Sequence, residues 1–214
     1  MSNPGDTRGR GRPAVSSRAH IEDVAMRLFA ENGYAATTVP MIAEASGVGR
    51  ATVFRYWGSK SEIVWAEFDQ HIERLANLLD GETSSGERTL DIVQRSVVAN
   101  LGRSIEDSSV WLERFALVDE SEELRSEEAR RWADWAAAVA GFVARRHGYG
   151  PAAVVPQTIG GAVQGAFLAV LRSRRSHDDF SAESVLPDLD RTLASVTRPL
   201  QEWLDTAPLH EEGL

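Results

Sequence analysis

Four side chains that donate hydrogen bonds are concentrated in one short segment of the chain. Arg50, Thr52, Arg55 and Tyr56 lie within seven residues, and we assign them to the side of the predicted helix that faces away from its small core. Guanidinium and hydroxyl groups bind phosphate oxygens and the edges of bases. The segment therefore predicts non-covalent contact with a nucleic acid.

Two short helices joined by a turn would position these donors. We predict the first helix over 39–46 and the second over 50–57. Gly47 leaves the first helix in the left-handed conformation, which glycine adopts without a Cβ clash. Ala43 is small enough to let the helices cross closely. The pattern is that of a helix-turn-helix, whose second helix lies in a DNA major groove. Its small core is predicted from Ile42, Val48 and Val53.

Residues 47–60, GVGRATVFRYWGSK, resemble the signature of the TetR family of bacterial transcriptional repressors. The resemblance covers roughly residues 17 to 65. It implies an all-helical homodimer that binds a palindromic operator in double-stranded DNA and leaves it when a small molecule binds. The sequence departs from the common pattern at two positions. Phe54 stands where tyrosine is frequent, and Trp57 replaces the usual phenylalanine as a larger buried plug.

The predicted DNA contacts divide into those with bases and those with phosphates. We expect Arg50, Thr52 and Phe54 to contact bases, with Ala51 beside them. The phosphate contacts are expected from Thr38, Arg55, Tyr56 and Lys60. Capping of the first motif helix is the alternative role for Thr38.

Residues 1–16 are predicted to form a disordered basic arm. Arg10 and Arg12 lie in RGRGRP, which resembles an AT-hook core that places arginines along a narrow minor groove. The alternative is a solvated tail without a partner.

The charge of the chain is divided unevenly along its length. The net charge of the 214 residues is −9. Residues 1–60 carry 8 basic and 5 acidic side chains, whereas residues 61–214 carry 15 basic and 27 acidic ones. A basic head and an acidic body suit a protein that presents only its head to DNA.

Composition excludes several classes of protein. Cysteine is absent, so disulfides and thiolate sites are excluded. We read no apolar run near the roughly 20 residues that span a bilayer and no signal peptide, so we expect a cytoplasmic protein without membrane contact.

The periodicity of apolar residues predicts an all-α fold of about nine helices. We expect a helix-turn-helix domain over 17–58, a ligand-binding and dimerisation domain over 59–207, and a flexible tail over 208–214. The fifth helix is expected to end at Gly102. Pro187 is expected in the first turn of the ninth. Interior glycines in the eighth helix predict a close approach by another helix: Gly160, Gly161 and Gly165.

Aromatic residues recur on several helices of the body, which suits a site for an apolar effector. The alternative is that these rings only fill the core. Gln157, Gln164 and His71 are possible polar anchors, and equally possible surface or core groups. The residues expected to bind the effector are Phe68, Ile72, Trp111, Phe115, Trp135, Gln164 and Phe167.

The segment TVFRYWGSKSEIVWAEFD also resembles the subgroup of this family associated with mycofactocin gene clusters. That resemblance implies a long-chain acyl-CoA as the ligand. The CoA phosphates would need arginines at the mouth of a pocket, and the candidates are Arg145, Arg146, Arg172, Arg174 and Arg175.

An enzyme is the competing class. The sequence has neither a phosphate-binding glycine loop nor a G-x-S-x-G segment, and its five histidines lack the spacing of metal ligands. We therefore predict no catalytic activity, no cofactor and no metal site. The remaining alternatives are a DNA-binding protein without an effector and an activator of the same fold.

Overall fold

The computed structural model describes residues 18–83, 86–107, 111–150, 152–176 and 181–207. The all-α prediction is confirmed, because the regular structure in these ranges is helical. The helices are α1 (Arg18–Asn32), α2 (Val39–Ala45), α3 (Arg50–Tyr56), α4 (Lys60–Asp80), α5 (Thr89–Asp107), α6 (Trp111–Glu120), α7 (Glu122–His147), α8 (Val154–Ser176) and α9 (Ala182–Thr206).

The chain forms two compact units, Met1–Val64 and Trp65–Leu214, and the division falls within α4. We call them the head and the body. The domain ranges given above remain predictions. The basic arm and the C-terminal tail, 1–16 and 208–214, lie outside the described residues.

Local sequence signals set the ends of several helices. The Thr38 side chain accepts a hydrogen bond from the Met41 N–H and caps α2, and Ser121 caps α7 through the Leu124 N–H. Gly148 follows α7 with φ of 73°, a left-handed conformation that lets the chain leave the helix without a Cβ clash. The prediction of α7 over 122–147 is therefore correct at both ends.

Two predictions at helix boundaries are wrong. Helix α5 continues past Gly102 to Asp107. A Cβ at Gly102 would lie 3.6 Å from Leu186 Cδ1, so this glycine occupies a helix–helix contact rather than a helix end. Pro187 lies in the second turn of α9, not the first, because the helix begins at Ala182.

The body is built around α8, which packs against α7 on one side and α9 on the other, while α5 also packs on α9. The predicted close approach is confirmed at Gly160. A Cβ there would lie 2.5 Å from the Ala136 carbonyl oxygen and 3.2 Å from Ala140 Cβ, both on α7. Gly161 and Gly165 face away from α7, and a Cβ at either would meet nothing within 4 Å among the described residues.

Helix α8 is an exception to the prediction that no apolar run approaches the length needed to span a bilayer. By length and composition alone, 154–175 is apolar enough to cross a membrane. Half of that stretch is buried in the body, where the apolar side chains Ile159, Val163 and Phe167 are fully enclosed. Helix α8 thus has the burial expected of the central helix of a packed core.

The contact at Gly160 gives a matched pair of stability predictions. Gly160→Ala should lower the free energy of unfolding by about 1–3 kcal/mol, because α7 must move to relieve the overlap with the Ala136 oxygen. Gly102→Ala should be neutral or raise it by up to about 1 kcal/mol, because its new methyl group makes ordinary contact and alanine favours the helix. Urea denaturation of both variants checks this, and equal effects would contradict the described α7–α8 packing.

Candidate nucleic-acid interface and aromatic cluster

The head buries one side of α3 and exposes the other. Val53 and Trp57 are 1% and 2% exposed, so the predicted plug at Trp57 is confirmed. Seven residues do not form a stable helix alone, so this burial holds α3 in place. Its orientation leaves the opposite side in solvent, with four exposed residues: Arg50, Ala51, Phe54 and Arg55.

Phe54 is the unusual member of that exposed surface, because half of its side chain (51%) is accessible to solvent. Thr52 and Tyr56 are half-buried at its margins. The Arg55 guanidinium lies 5.0 Å from the centre of the Tyr56 ring. The exposed surface therefore combines cationic groups with one large apolar ring, and both can reach a groove of DNA.

The turn before α3 has the predicted geometry. Gly47 has φ of 68°, and the buried Ile42 and Ala43 lie on the side of α2 that packs in the head core. Val48 is half-buried, so it contributes less to that core than predicted. Thr37, rather than Thr38, is the buried threonine, and its hydroxyl donates to the carbonyl oxygens of Leu28 and Gly33. Thr38 is exposed and remains accessible to a phosphate.

Lys60 makes contacts that the sequence did not predict. Its ammonium donates to the Tyr34 carbonyl oxygen at 2.9 Å and lies 3.8 Å from the centre of the Tyr34 ring. Ser59 and Glu62 also form the predicted cap of α4: the Glu62 N–H donates to Ser59 Oγ, and the Glu62 carboxylate accepts the Gly58 N–H at 2.7 Å. Lys60 thus links the start of α4 to the turn after α1. Its phosphate contact remains a prediction, and Arg10 and Arg12 lie outside the described residues.

The body contains a continuous cluster of buried rings. We define the aromatic cluster as Trp65, Phe68, His71, Trp111, Phe115, Trp132, Trp135 and Phe167. Neighbouring ring centres lie 4.6 Å apart for Phe68 and Trp132, and 5.1 Å apart for Trp135 and Phe167. Five of the seven residues expected to bind an effector therefore lie together.

The other two expected residues are not members of the cluster and are only half-buried. Ile72 is half-buried on α4. Gln164 is half-buried on α8, and its amide donates to the Trp132 carbonyl oxygen at 2.6 Å. The position of Gln164 beside Trp132 places a polar side chain at the edge of the rings.

The sequence analysis did not predict the buried polar side chains of α5 that contact His71. The His71 Nδ1 atom lies 2.8 Å from Ser104 Oγ, and the Asn100 amide donates to the His71 carbonyl oxygen at 2.9 Å. Asn100 and Ser104 are fully buried. The signal was present, because Ser96, Asn100 and Ser104 recur every fourth residue beside the apolar stripe of α5, which is the spacing of one helix face.

Burial keeps the His71 ring neutral. It lowers the pKa of His71 from 6.5 to about 3, and the positive charge of Arg74 adds to this effect. Ser104 donates its hydroxyl proton to the Asn100 carbonyl oxygen, so a neutral ring with its proton on Nδ1 completes the chain of hydrogen bonds.

The pKa of His71 predicts how stability depends on pH. Between pH 6.5 and 3 the unfolded chain takes up a proton that the folded chain does not. The free energy of unfolding should therefore fall as pH falls through this window, by up to about 1.4 kcal/mol per unit from this group. His71→Gln should show a correspondingly flatter dependence in urea denaturation at several pH values. Parallel curves for the wild type and the variant would contradict a neutral, desolvated ring.

Comparison with known proteins matches both units to one family. The model described as bacterial regulatory proteins, tetR family, matches residues 21–66, and the model described as MftR C-terminal domain matches 87–201. The mycofactocin biosynthesis regulator MftR of Mycobacterium tuberculosis is 32% identical over 74% of this chain and 80% of its own length. The transcriptional repressor Rv3405c of the same organism is 38% identical over 41% of this chain and 43% of its own.

A solved structure shares the fold. SmeT, the repressor of the Stenotrophomonas maltophilia multidrug efflux pump SmeDEF, superposes with a TM-score of 0.59 at 20% identity, over 84% of this chain and 89% of its own. The matching family models and relatives are transcriptional regulators, which confirms the prediction that the chain is not an enzyme. The resemblance to the mycofactocin-associated subgroup is likewise confirmed by the C-terminal match. The chain belongs to the TetR family of bacterial transcriptional regulators.

Proposed function

We propose that the protein is a homodimeric, cytoplasmic repressor that binds a palindromic operator through α3 and leaves it when an apolar effector binds in the body. The observation that carries the proposal is the exposed surface of α3, where Arg50, Phe54 and Arg55 lie opposite the buried Val53 and Trp57. A helix held by one side and exposed on the other can lie in a major groove. Arg50, Thr52 and Phe54 contact bases there, and Thr38, Arg55, Tyr56 and Lys60 contact phosphates.

The outward surfaces of α8 and α9 support dimerisation. Gly161, Gly165 and Ala169 are exposed at four-residue spacing on α8, so they form a smooth strip along one face. On α9, Trp203 is 38% exposed and Leu200 is half-buried. Small residues at this spacing allow a second helix to approach closely, and a two-fold partner supplies the second recognition helix that a palindrome requires.

The aromatic cluster supports an apolar effector. It consists of large apolar rings from α4, α6, α7 and α8, whose surfaces suit contact with a long hydrocarbon chain. A long-chain acyl-CoA is the first effector to test, because it is the ligand implied by the subgroup resemblance.

The phosphates of an acyl-CoA would meet arginines that already have partners. Arg175 lies 2.8 Å from Asp119, and Arg172 lies 3.1 Å from Glu128. Glu128 also accepts the Trp132 indole N–H, so this carboxylate connects Arg172 to the aromatic cluster. The other candidates are bound as well: Arg145 to Asp80, Arg146 to the Glu87 carbonyl oxygen and Arg174 to Asp188. An incoming phosphate would have to displace Asp119 and Glu128 to reach Arg172 and Arg175.

Phe54 predicts a dependence on thymine. An exposed phenyl ring in the major groove contacts the 5-methyl group of thymine, which deoxyuridine lacks. Replacing the contacted thymine by deoxyuridine should weaken wild-type binding by about 0.8 kcal/mol, or about fourfold, the contribution of one buried methyl group. Phe54→Ala should bind both operators equally.

Arg55→Ala is the matched control for that measurement. It should weaken binding to the thymine and deoxyuridine operators by the same factor, because a phosphate contact carries no base information. If wild-type affinity is unchanged at every thymine replaced in turn, Phe54 does not contact a methyl group.

A gel-shift titration tests the proposed function as a whole. At fixed salt, purified protein should shift the DNA just upstream of its own gene in a sequence-specific manner, and a long-chain acyl-CoA should abolish that shift. The shift should weaken steeply as salt rises, because phosphate contacts release counterions. A shift that no ligand affects would support a regulator without an effector, and the absence of a specific shift on any neighbouring promoter would count against the repressor.

A further inference from the structure

Two indole N–H groups in the aromatic cluster have no acceptor among the residues that the structure describes. Trp65 Nε1 and Trp135 Nε1 are fully buried, and no described residue accepts their hydrogen bonds. Trp132, another member of the cluster, differs, because its Nε1 donates to Glu128 at 2.7 Å. Buried donors without an acceptor are rare in proteins, since they have lost water without gaining a partner. Two such donors in one cluster point to an acceptor supplied from outside the chain.

One acceptor near the same rings likewise has no donor within the described part of the chain. Asn100 donates through Nδ2 to the His71 carbonyl oxygen, which can only accept, so the orientation of the amide is fixed. Its Oδ1 atom is consequently turned away from that bond, and no donor among the described residues reaches it. Asn100 is fully buried beside His71, a member of the cluster.

The charged groups around the cluster are already balanced. Arg114 is buried and lies 3.1 Å from Glu67. Arg131 is buried, lies 2.8 Å from Asp69 and 3.1 Å from Glu127, and covers the Trp65 ring at 4.4 Å. The His71 ring is neutral at ordinary pH, because burial lowers its pKa to about 3. A carboxylate entering the cluster would bring an uncompensated negative charge, which is strongly unfavourable in a desolvated site.

We propose that the aromatic cluster binds an uncharged effector group that contains a carbonyl oxygen, such as an ester, thioester or amide, and rejects the corresponding free carboxylate. The indole N–H groups of Trp65 and Trp135 donate to the carbonyl, and Asn100 Oδ1 accepts an N–H where the ligand has one. The hydrocarbon part of the effector lies against the rings. This inference rests on the proposed effector-responsive function and specifies the chemistry of that same site.

The inference separates ligands that share one hydrocarbon chain. Methyl decanoate and decanamide present a neutral carbonyl, whereas sodium decanoate carries the charge that the cluster does not compensate. The neutral members should bind at least about tenfold more tightly than the carboxylate at neutral pH. Decanamide should bind at least as tightly as the ester, because it also offers an N–H to Asn100.

Direct titration observed by NMR provides the test without DNA. The six tryptophans give six indole N–H signals, assigned by replacing each tryptophan with phenylalanine. On addition of methyl decanoate, we expect the Trp65 and Trp135 signals to shift as their N–H groups gain an acceptor. The Trp132 signal should shift less, because its N–H is bonded to Glu128, and the Trp57 signal in the head serves as a reference.

Matched variants check the two donors. Trp135→Phe and Trp65→Phe should each weaken binding of methyl decanoate by about three- to tenfold, the effect of one neutral hydrogen bond. Trp132→Phe removes a similar ring whose N–H is already bonded to Glu128, so it should weaken the binding of methyl decanoate less. If one variant fails to fold, its signal in the wild-type spectrum is assigned by elimination from the other five variants, and the shift of that signal still tests the donor.

Three results would overturn the inference: decanoate binding as tightly as its ester, ester binding without a shift of either indole signal, or no binding by either neutral ligand. The gel shift reports on the proposed function separately. A protein that binds methyl decanoate with the expected shifts but no operator keeps this inference and loses the repressor. A protein that binds and releases its operator, but binds decanoate as tightly as the ester, keeps the proposed repressor function and loses this inference.

Discussion

The constraint on which the body depends is that a charge removed from water must have a partner. Arg114 and Arg131 are buried, and each is held against carboxylates that lie nearer the surface. His71 satisfies the same constraint by remaining neutral. These charges are balanced within the chain, and the atoms of the aromatic region that lack a partner among the described residues, Trp65 Nε1, Trp135 Nε1 and Asn100 Oδ1, are uncharged. Helices α7 and α8 can therefore pack through apolar side chains without burying an unpaired charge between them.

The head meets a different requirement, because its helices are too short to be stable alone. Its stability comes from contacts that tie separated segments together. Lys60 reaches back 26 residues to Tyr34, and Thr37 bonds to carbonyl oxygens at the end of α1. Trp57, which directly follows α3, is buried and has the Arg18 guanidinium 5.5 Å from the centre of its ring. These contacts fix α3 while leaving its outer side chains exposed to solvent.

The sequence was sufficient wherever a short-range signal decides the structure. Both ends of α7 follow from a serine cap and a left-handed glycine, and the orientation of α3 follows from Val53 and Trp57. It was insufficient where a distant neighbour decides. Gly102 suggests a helix end, but Leu186, far along the chain, packs against it and the helix continues.

The candidate sites show the same division between local and distant signals. The rings of the aromatic cluster could be predicted as apolar and buried. The position of Asn100 beside these rings could not be predicted, because the sequence of α5 does not show which residues of other helices face its polar side chains. For Lys60 the local signal was incomplete. Its position at the N-terminus of α4 suggested a phosphate contact, and the structure adds Tyr34 as a partner within the chain.

The separation of the two sides of α3 has an evolutionary consequence. Exposed side chains with few folding contacts can usually be exchanged with little change in stability. Arg50, Ala51, Phe54 and Arg55 are such positions, whereas Val53 and Trp57 are not. After gene duplication, a copy of this chain can therefore accumulate changes at the outer four positions and drift toward another set of promoters while it continues to fold. Divergence of regulatory targets would require only a few substitutions and no compensating changes in the core.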